Sequence, residues 1–472
     1  MHNTQRGSRD RFDVAVIGSG VVGCAIARRL TLEGARVVIL ERADDILDGA
    51  SKGNSAILHT GFDAPADSLE LRCIRDGHAE YLDIHERLGL PLIRCGALVL
   101  AWNREEEARL DDLMEHARGN GIDNVEPLSR DSILRLEPHL SAQVRSGFRI
   151  PDESLMDPWT APYAYVLQAI EMGAVLLRGC EVRSGEFDGD FWTLTTDNGP
   201  VVARFVVNAA GLFGDIVERR LTGTSEFVIR PRKGQFVIFD KSAASLATHI
   251  LLPVPTEITK GVVVCRTAFG NLLVGPTAEE QDDRENAEVT GNALQALCKR
   301  GAEILPDLPS HGITTVYAGL RPASEIKAYR IKAHADRQYV TVGGIRSTGL
   351  SAALGIARHV HDLCMQMGLD TTPSSDIRWP RPRSICEPAP RDWQQSGHGG
   401  IVCHCEMVTR REIEDALSGP LAARSLAGLK RRTRVTMGRC QGFYCSAGLA
   451  ALTRDRFARP IAVPIGAPEP PA

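Results

Sequence analysis

Phe12-Asp13-Val14-Ala15-Val16-Ile17-Gly18-Ser19-Gly20-Val21-Val22-Gly23 decides the fold of this chain. The apolar run to Ile17 predicts a buried strand, and the spaced glycines predict a tight turn opening a helix from Cys24 to Leu32. Arg36-Val37-Val38-Ile39-Leu40 predicts a second strand that ends at Glu41. This pattern is a dinucleotide-binding βαβ unit. Gly18 permits the turn, Gly20 lets a pyrophosphate reach the backbone at the helix N-terminus, and Gly23 lets helix pack on strand. Glu41, roughly 20 residues beyond the glycines, is suited to accept hydrogen bonds from the adenosine ribose, with Arg42 beside it. An acid there disfavours a 2′-phosphate, so NADP is the least suited occupant. FAD and NAD are not separated by this motif.

A chain of 472 residues with 43% hydrophobic content holds two or three soluble domains. A net charge of −4 argues against nucleic acid as a partner. No apolar run approaches the roughly 18 residues of a membrane span, and residues 1–11 lack the apolar core of a cleavable secretory signal. The 12 cysteines show no extracellular disulfide framework. The expected location is the cytoplasm, with membrane contact limited to the periphery of the inner membrane or to a partner.

Cys403, Cys405, Cys440 and Cys445 gather C-x-C and C-x4-C into a module at residues 401–458. Thiolates that close together need a compensating cation, and so short a stretch needs a staple. The one-residue spacing suits a [2Fe–2S] cluster; a zinc knuckle and a redox disulfide or free thiols are the alternatives. Residues 371–400 carry Pro373, Pro380, Pro382, Pro388 and Pro390 without periodicity and read as a linker. The tail 459–472 is proline-rich and expected to be loose.

Other segments point to a long cofactor. Phe205-Val206-Val207-Asn208-Ala209-Ala210-Gly211 reads as a strand running into small residues, or as an ordinary core strand and turn. Gly343-Gly344-Ile345-Arg346-Ser347-Thr348-Gly349-Leu350-Ser351 reads as a glycine-rich turn opening a helix to Met365. No second G-x-G-x-x-G exists for a separate nicotinamide. Small residues in Gly49-Ala50-Ser51-Lys52-Gly53-Asn54-Ser55 would let backbone approach the cofactor, and His59 would emerge beside its reactive end. A lone histidine is more often structural, but this placement makes His59 a candidate base. Val228 to Phe239 predicts a glycine-containing turn feeding a strand. Arg321, in Gly319-Leu320-Arg321-Pro322, suits a bidentate clamp on carboxylate or phosphate; Lys233, Lys260 and Arg266 are weaker candidates.

These segments resemble FAD-dependent oxidoreductases of the D-amino-acid oxidase and glycerol-3-phosphate dehydrogenase type. Residues 49–61, with Asp67-Ser68-Leu69 and Arg94-Cys95-Gly96-Ala97-Leu98, look like L-2-hydroxyglutarate oxidases and their relatives. Lys430 to Gly442 resembles the bacterioferritin-associated-ferredoxin-like module fused to the catalytic chains of anaerobic glycerol-3-phosphate dehydrogenases, although its basic start also reads as a solvated face. The resemblance implies an α/β plus α+β architecture. A Rossmann-like FAD-binding domain (about 12–90, 151–225 and 319–370) would be interleaved with a mainly antiparallel substrate domain (about 91–150 and 226–318), within a unit at 12–370. It implies FAD contacts from Gly18, Gly20, Gly23, Glu41, Arg42, Asn54, Ser55, Val182, Ala210, Gly211, Gly344, Arg346, Thr348, Gly349 and Leu350. The four cysteines would hold [2Fe–2S], Arg321 the anionic end of substrate, and His59 or a water the proton. The implied activity is dehydrogenation of a small anionic secondary alcohol, a polyol phosphate or 2-hydroxy acid. Electrons would pass through the cluster to a quinone, an electron-transfer protein or a partner subunit, in a hetero- or homo-oligomer. An amino- or imino-acid dehydrogenase and a non-catalytic redox sensor are the alternatives.

Overall fold

The computed structural model describes residues 11–255 and 261–462. Lys260 and most of the proline-rich tail lie outside the described residues.

Five parallel strands centre an eight-stranded sheet, in the order Val175–Arg178, Val37–Glu41, Arg11–Ile17, Gly199–Asn208 and Tyr339–Gly343. Parallel strands covered on both faces are apolar throughout, and Val14, Ala15 and Val16 are fully buried. Helices Val21–Leu32, Leu69–Ile84, Thr160–Glu171 and Gly349–Gln366 close one face through Ile26, Leu30, Ile74, Tyr165 and Ile356. Hairpin strands Val182–Phe187 and Trp192–Thr196 flank the other side, where Trp192 and Tyr339 are buried.

The second sheet has nine strands and is mainly antiparallel; Ile250–Pro253 runs parallel to Ala97–Ala101. Its backbone is the pairing of Ile229–Phe239 with Ile313–Ser324 along nearly their whole length. Two expectations are corrected here. Gly234 is no turn, because it lies mid-strand opposite Gly319. The substrate sheet also continues beyond residue 318, and Arg321 stands on it rather than in the cofactor domain. A short three-stranded sheet, Ile57–Leu58, Ser154–Met156 and Leu92–Ile93, completes the fold at the site.

The C-terminal module is a hairpin, Ile401–Cys403 with Val408–Thr409, followed by helices Arg410–Ala416, Leu426–Thr433 and Ser446–Leu452 around Val408, Ile413, Leu429, Val435 and Leu449. Thr409 and Glu412 form a reciprocal capping box on the first helix. The stretch expected to be a linker, 371–400, is a packed strap. It is irregular, but Ile385 and Cys386 are buried with Phe269, and Arg378 accepts a hydrogen bond from Gln168 through its carbonyl. Asp392 ties strap to module: burial alone would raise its pKa, yet hydrogen bonds from Arg411, Thr409 and Arg383 hold it at about 2. No helix among the described residues is long and apolar enough to cross a membrane.

Asp45 seats the module. It follows the Glu41 turn, is 1% exposed, and accepts hydrogen bonds from Arg432, Arg178, the Arg424 N–H and the Ser425 hydroxyl. Arg431 adds contacts to Asp48 and to the Ile46 carbonyl. Asp45→Ala leaves two buried guanidiniums uncompensated, which typically costs about 3–5 kcal/mol. It should lower the melting temperature and increase protease cleavage within 371–400; unchanged cleavage and melting would show that the module is held elsewhere.

Candidate active site and cluster centre

The two sheets enclose a cavity of about 510 Å³, within the usual range for a bound small molecule. At one end the glycine turn shapes it. Gly18 has φ +100°, and a Cβ there would lie 2.6 Å from the Ala209 carbonyl oxygen, so the strand preceding Ala210 fits only against glycine. A Cβ on Gly23 would come 2.0 Å from the Gly18 carbonyl oxygen, so this glycine serves packing and does not line the cavity. Gly20 does line it, as do Glu41, Arg42, Val182, Ala210 and Gly211. Glu41 Oε2 accepts hydrogen bonds from the Ser19 N–H and hydroxyl, and Oε1 accepts from the Ala43 N–H. Arg42 lies over the Phe213 ring at 3.8 Å. Sequence reasoning gave no role to Ser51, whose hydroxyl accepts the Val21 N–H at the helix N-terminus at 2.9 Å.

Further along the cavity are Asn54, Ser55, Gly344, Arg346, Gly349 and Leu350. Asn54 turns its own loop, accepting the Ala56 N–H, while its carbonyl accepts the Tyr317 hydroxyl at 2.6 Å. Thr348, expected here, is not part of the lining; its hydroxyl is buried between Glu70 and Tyr329. Its hydroxyl is committed to Glu70 of the helix Leu69–Ile84 and to Tyr329, away from the cavity.

His59 and Arg321 share this cavity. Antiparallel pairing of Leu58 with Ser154 sets His59 opposite Glu153, and His59 Nδ1 lies 2.9 Å from Glu153 Oε2. Glu153 is fully buried, and its other oxygen accepts the Thr60 N–H and hydroxyl. Arg321 reaches diagonally over Gly234, where a Cβ would be 2.6 Å from Nη2. Among the described residues it has no carboxylate partner, only the Thr277 carbonyl at 3.5 Å. Burial, then the nearby Arg232 and Arg346 guanidiniums, lowers its pKa to about 10. Arg232 lines the cavity with an unpartnered buried Nε, and Arg346 holds φ +54° to enter it. Three guanidiniums gathered without a counter-ion among the described residues form a site suited to an anion. Lys233 is instead paired with Glu279 at 3.4 Å, Arg266 is exposed, and neither lines the cavity.

In the module, Cys405 lies within hydrogen-bonding reach of Cys440, and Cys403 of Cys445. Burial, followed by the Cys403 thiol, pushes Cys445 up to about 11, while the Tyr444 N–H draws Cys440 below the ordinary thiol value. Among the described residues no three ligands converge on a single-ion site. Paired sulfurs with backbone N–H groups directed at one of them fit a cluster that spreads its ligands over two irons.

The glycine turn, the acid at the strand end and the paired thiols agree with two family profiles. That of the FAD dependent oxidoreductases matches residues 13–363, and that of the BFD-like [2Fe-2S] binding domain matches residues 401–453. The chain belongs to the FAD dependent oxidoreductase family. FAD and [2Fe–2S] are its cofactors. A glycerol 3-phosphate dehydrogenase of Caloramator mitchellensis is 31% identical over 444 residues, covering 92% of both chains. One subunit of the anaerobic glycerol-3-phosphate dehydrogenase of Escherichia coli K12 is 27% identical over 93% of this chain and 87% of its own. Among solved structures, a dithionite-reduced L-α-glycerophosphate oxidase of Mycoplasma pneumoniae with FAD bound aligns with a TM-score of 0.74 and 27% identity. It covers 79% of this chain and 98% of the other.

Gly20 has φ −67°, which any residue adopts, and a Cβ there would meet only the Ser51 hydroxyl oxygen, at 3.2 Å, so Gly20→Val should displace that side chain within an otherwise intact fold yet block the cofactor's approach to the helix N-terminus. The purified variant should lack FAD, and a full flavin spectrum would contradict this placement. Changing any of Cys403, Cys405, Cys440 or Cys445 to serine should remove iron and acid-labile sulfide while FAD stays bound. One zinc and no iron in the parent protein would instead make the module structural.

Proposed function

We propose that this flavoprotein dehydrogenates a small anionic secondary alcohol, glycerol 3-phosphate first and a 2-hydroxy acid such as 2-hydroxyglutarate second. The observation that carries the proposal is Arg321, without a carboxylate partner among the described residues and beside Arg232 and Arg346, in the same cavity as His59. Three cations match a phosphate monoester dianion better than a single carboxylate. Arg321 anchors the anion, His59 accepts the hydroxyl proton, and the fully buried Glu153 carboxylate steadies the imidazole. Bound FAD supplies a hydride acceptor, and a bound [2Fe–2S] cluster supplies one-electron capacity. The similarity to glycerol 3-phosphate dehydrogenases over nearly the whole chain supports the CH–OH donor. Amino- or imino-acid oxidation and a sensor without catalysis are not favoured. That one relative is named as part of a larger enzyme supports an external acceptor, whether quinone, electron-transfer protein or partner subunit, reached from the cytoplasmic side with peripheral membrane contact.

Anaerobic titration should bleach the flavin with glycerol 3-phosphate at lower concentrations than with 2-hydroxyglutarate, and with neither alanine nor proline. Losing one partner of a desolvated charge contact costs about 2–5 kcal/mol, and 1.4 kcal/mol is about tenfold. Arg321→Ala should therefore lower kcat/KM by roughly 30- to several-thousand-fold. Arg321→Lys should recover part of that, keeping the charge but losing the fork. Unchanged kcat/KM in Arg321→Ala at normal flavin content would remove Arg321 from substrate binding.

A further inference from the structure

We infer that Glu153 is a positioning residue that decides which nitrogen of His59 carries the proton, and so keeps Nε2 free to take the substrate's. The inference rests on His59 being the base. Glu153 is 94 residues from His59 in sequence and reaches it only because Leu58 pairs with Ser154. Its two oxygens are both committed: Oε1 accepts the Thr60 N–H at 2.7 Å and the Thr60 hydroxyl at 2.9 Å, and Oε2 faces His59 Nδ1 at 2.9 Å. A carboxylate only accepts, so the proton between Glu153 and His59 belongs to Nδ1. Neutral imidazole then has its lone pair on Nε2. The substrate O–H proton passes to that lone pair, the O–H electron pair stays on oxygen, and the resulting imidazolium keeps its Nδ1–H on the buried carboxylate. The His59 backbone N–H donates to the Ser351 hydroxyl at 2.9 Å, which fixes the main chain from which the ring reaches Glu153.

Geometry also dictates what an isosteric amide would do. The Thr60 N–H is a fixed backbone donor and must keep an oxygen opposite it. Glu153→Gln therefore directs its NH2 group at His59 Nδ1, which must then accept, and the imidazole proton moves to Nε2. The variant would hold the right ring in the right place with the wrong tautomer, as in the Asp-to-Asn change of the serine-protease triad. Glu153→Asp has a shorter reach but still only accepts.

The order of the two variants separates this role from packing. With glycerol 3-phosphate as probe, anaerobic rapid mixing of Glu153→Gln should show flavin reduction slowed roughly 10²- to 10⁴-fold, with half-saturation nearly unchanged. Glu153→Asp should be slowed less. Nitrogen NMR of histidine-labelled protein, assigned by difference against His59→Gln, should show Nδ1 protonated in the parent and Nε2 protonated in Glu153→Gln. Fast reduction in Glu153→Gln alongside slow reduction in His59→Gln would sink the tautomer role and leave the base assignment standing. Glu153→Asp slower than Glu153→Gln would reduce Glu153 to a packing role. Fast reduction in His59→Gln would remove the base, and this inference with it.

Discussion

Two glycines meet where the two sheets meet, and the site depends on how close they come. A Cβ on Gly319 would lie 2.6 Å from the Gly53 carbonyl oxygen, and one on Gly53 would lie 3.1 Å from the Gly319 Cα. No side chain fits between the loop at residues 49–61 and the strand that carries Arg321. Backbone contact at that point puts both into one cavity, with the glycine turn of the cofactor sheet at its far end. A larger residue at either position would wedge the sheets apart and separate the anion clamp from the base, though every side chain of the site were still present.

What is legible in the sequence is what depends on neighbours in sequence. The turn at Gly18 and Gly20, the acid at Glu41 and the C-x-C and C-x4-C spacings are marked by residues close in sequence, so a dinucleotide site and a thiol centre are legible there, although spacing leaves FAD against NAD and [2Fe–2S] against zinc open. Arg321 stands out because glycine and proline flank it. Glu153 does not, because nothing local marks a carboxylate whose partner arrives through pairing across 94 residues. Arg232 is given no role by its local sequence, and the strand register that sets it opposite Arg321 is what brings the two guanidiniums together. Gly234 is misread for a related reason. Glycine usually punctuates a chain, but here it clears space for a guanidinium on the next strand. Prolines in 371–400 likewise suggest looseness, whereas they shape a strap whose Ile385 and Cys386 are buried.

The module is seated rather than tethered. Asp45 compensates Arg178 and Arg432 in one place, and Arg178 is pulled below its ordinary pKa by burial and then by Arg424, a sign of how crowded with cations this contact is. A second contact is aromatic: Arg434 lies 4.2 Å over Phe269, which stacks on Trp159 at 5.4 Å. Trp159 donates its indole N–H to the Lys52 carbonyl, and Lys52 lines the cofactor cavity. Arg434 in turn holds Glu406, the neighbour of Cys405. Ions on one side and stacked rings on the other fix the module against the domain that carries the cavity.

Orientation of substrate follows from the same economy of fixed points. Arg321 stands on the long strand pair of the nine-stranded sheet, and His59 directly follows the short strand Ile57–Leu58, whose pairing with Ser154–Met156 sets its place. With Arg321 as the proposed anion clamp and His59 as the proposed base, a molecule with an anion at one end and a hydroxyl at the other would be held at both ends, leaving its carbinol carbon little freedom between them. An uncharged alcohol would meet one fixed point only. On the proposed roles, discrimination against it would arise from geometry as much as from charge: without the anion the three guanidiniums would lack compensation from the described residues, and the hydroxyl would not be delivered to His59.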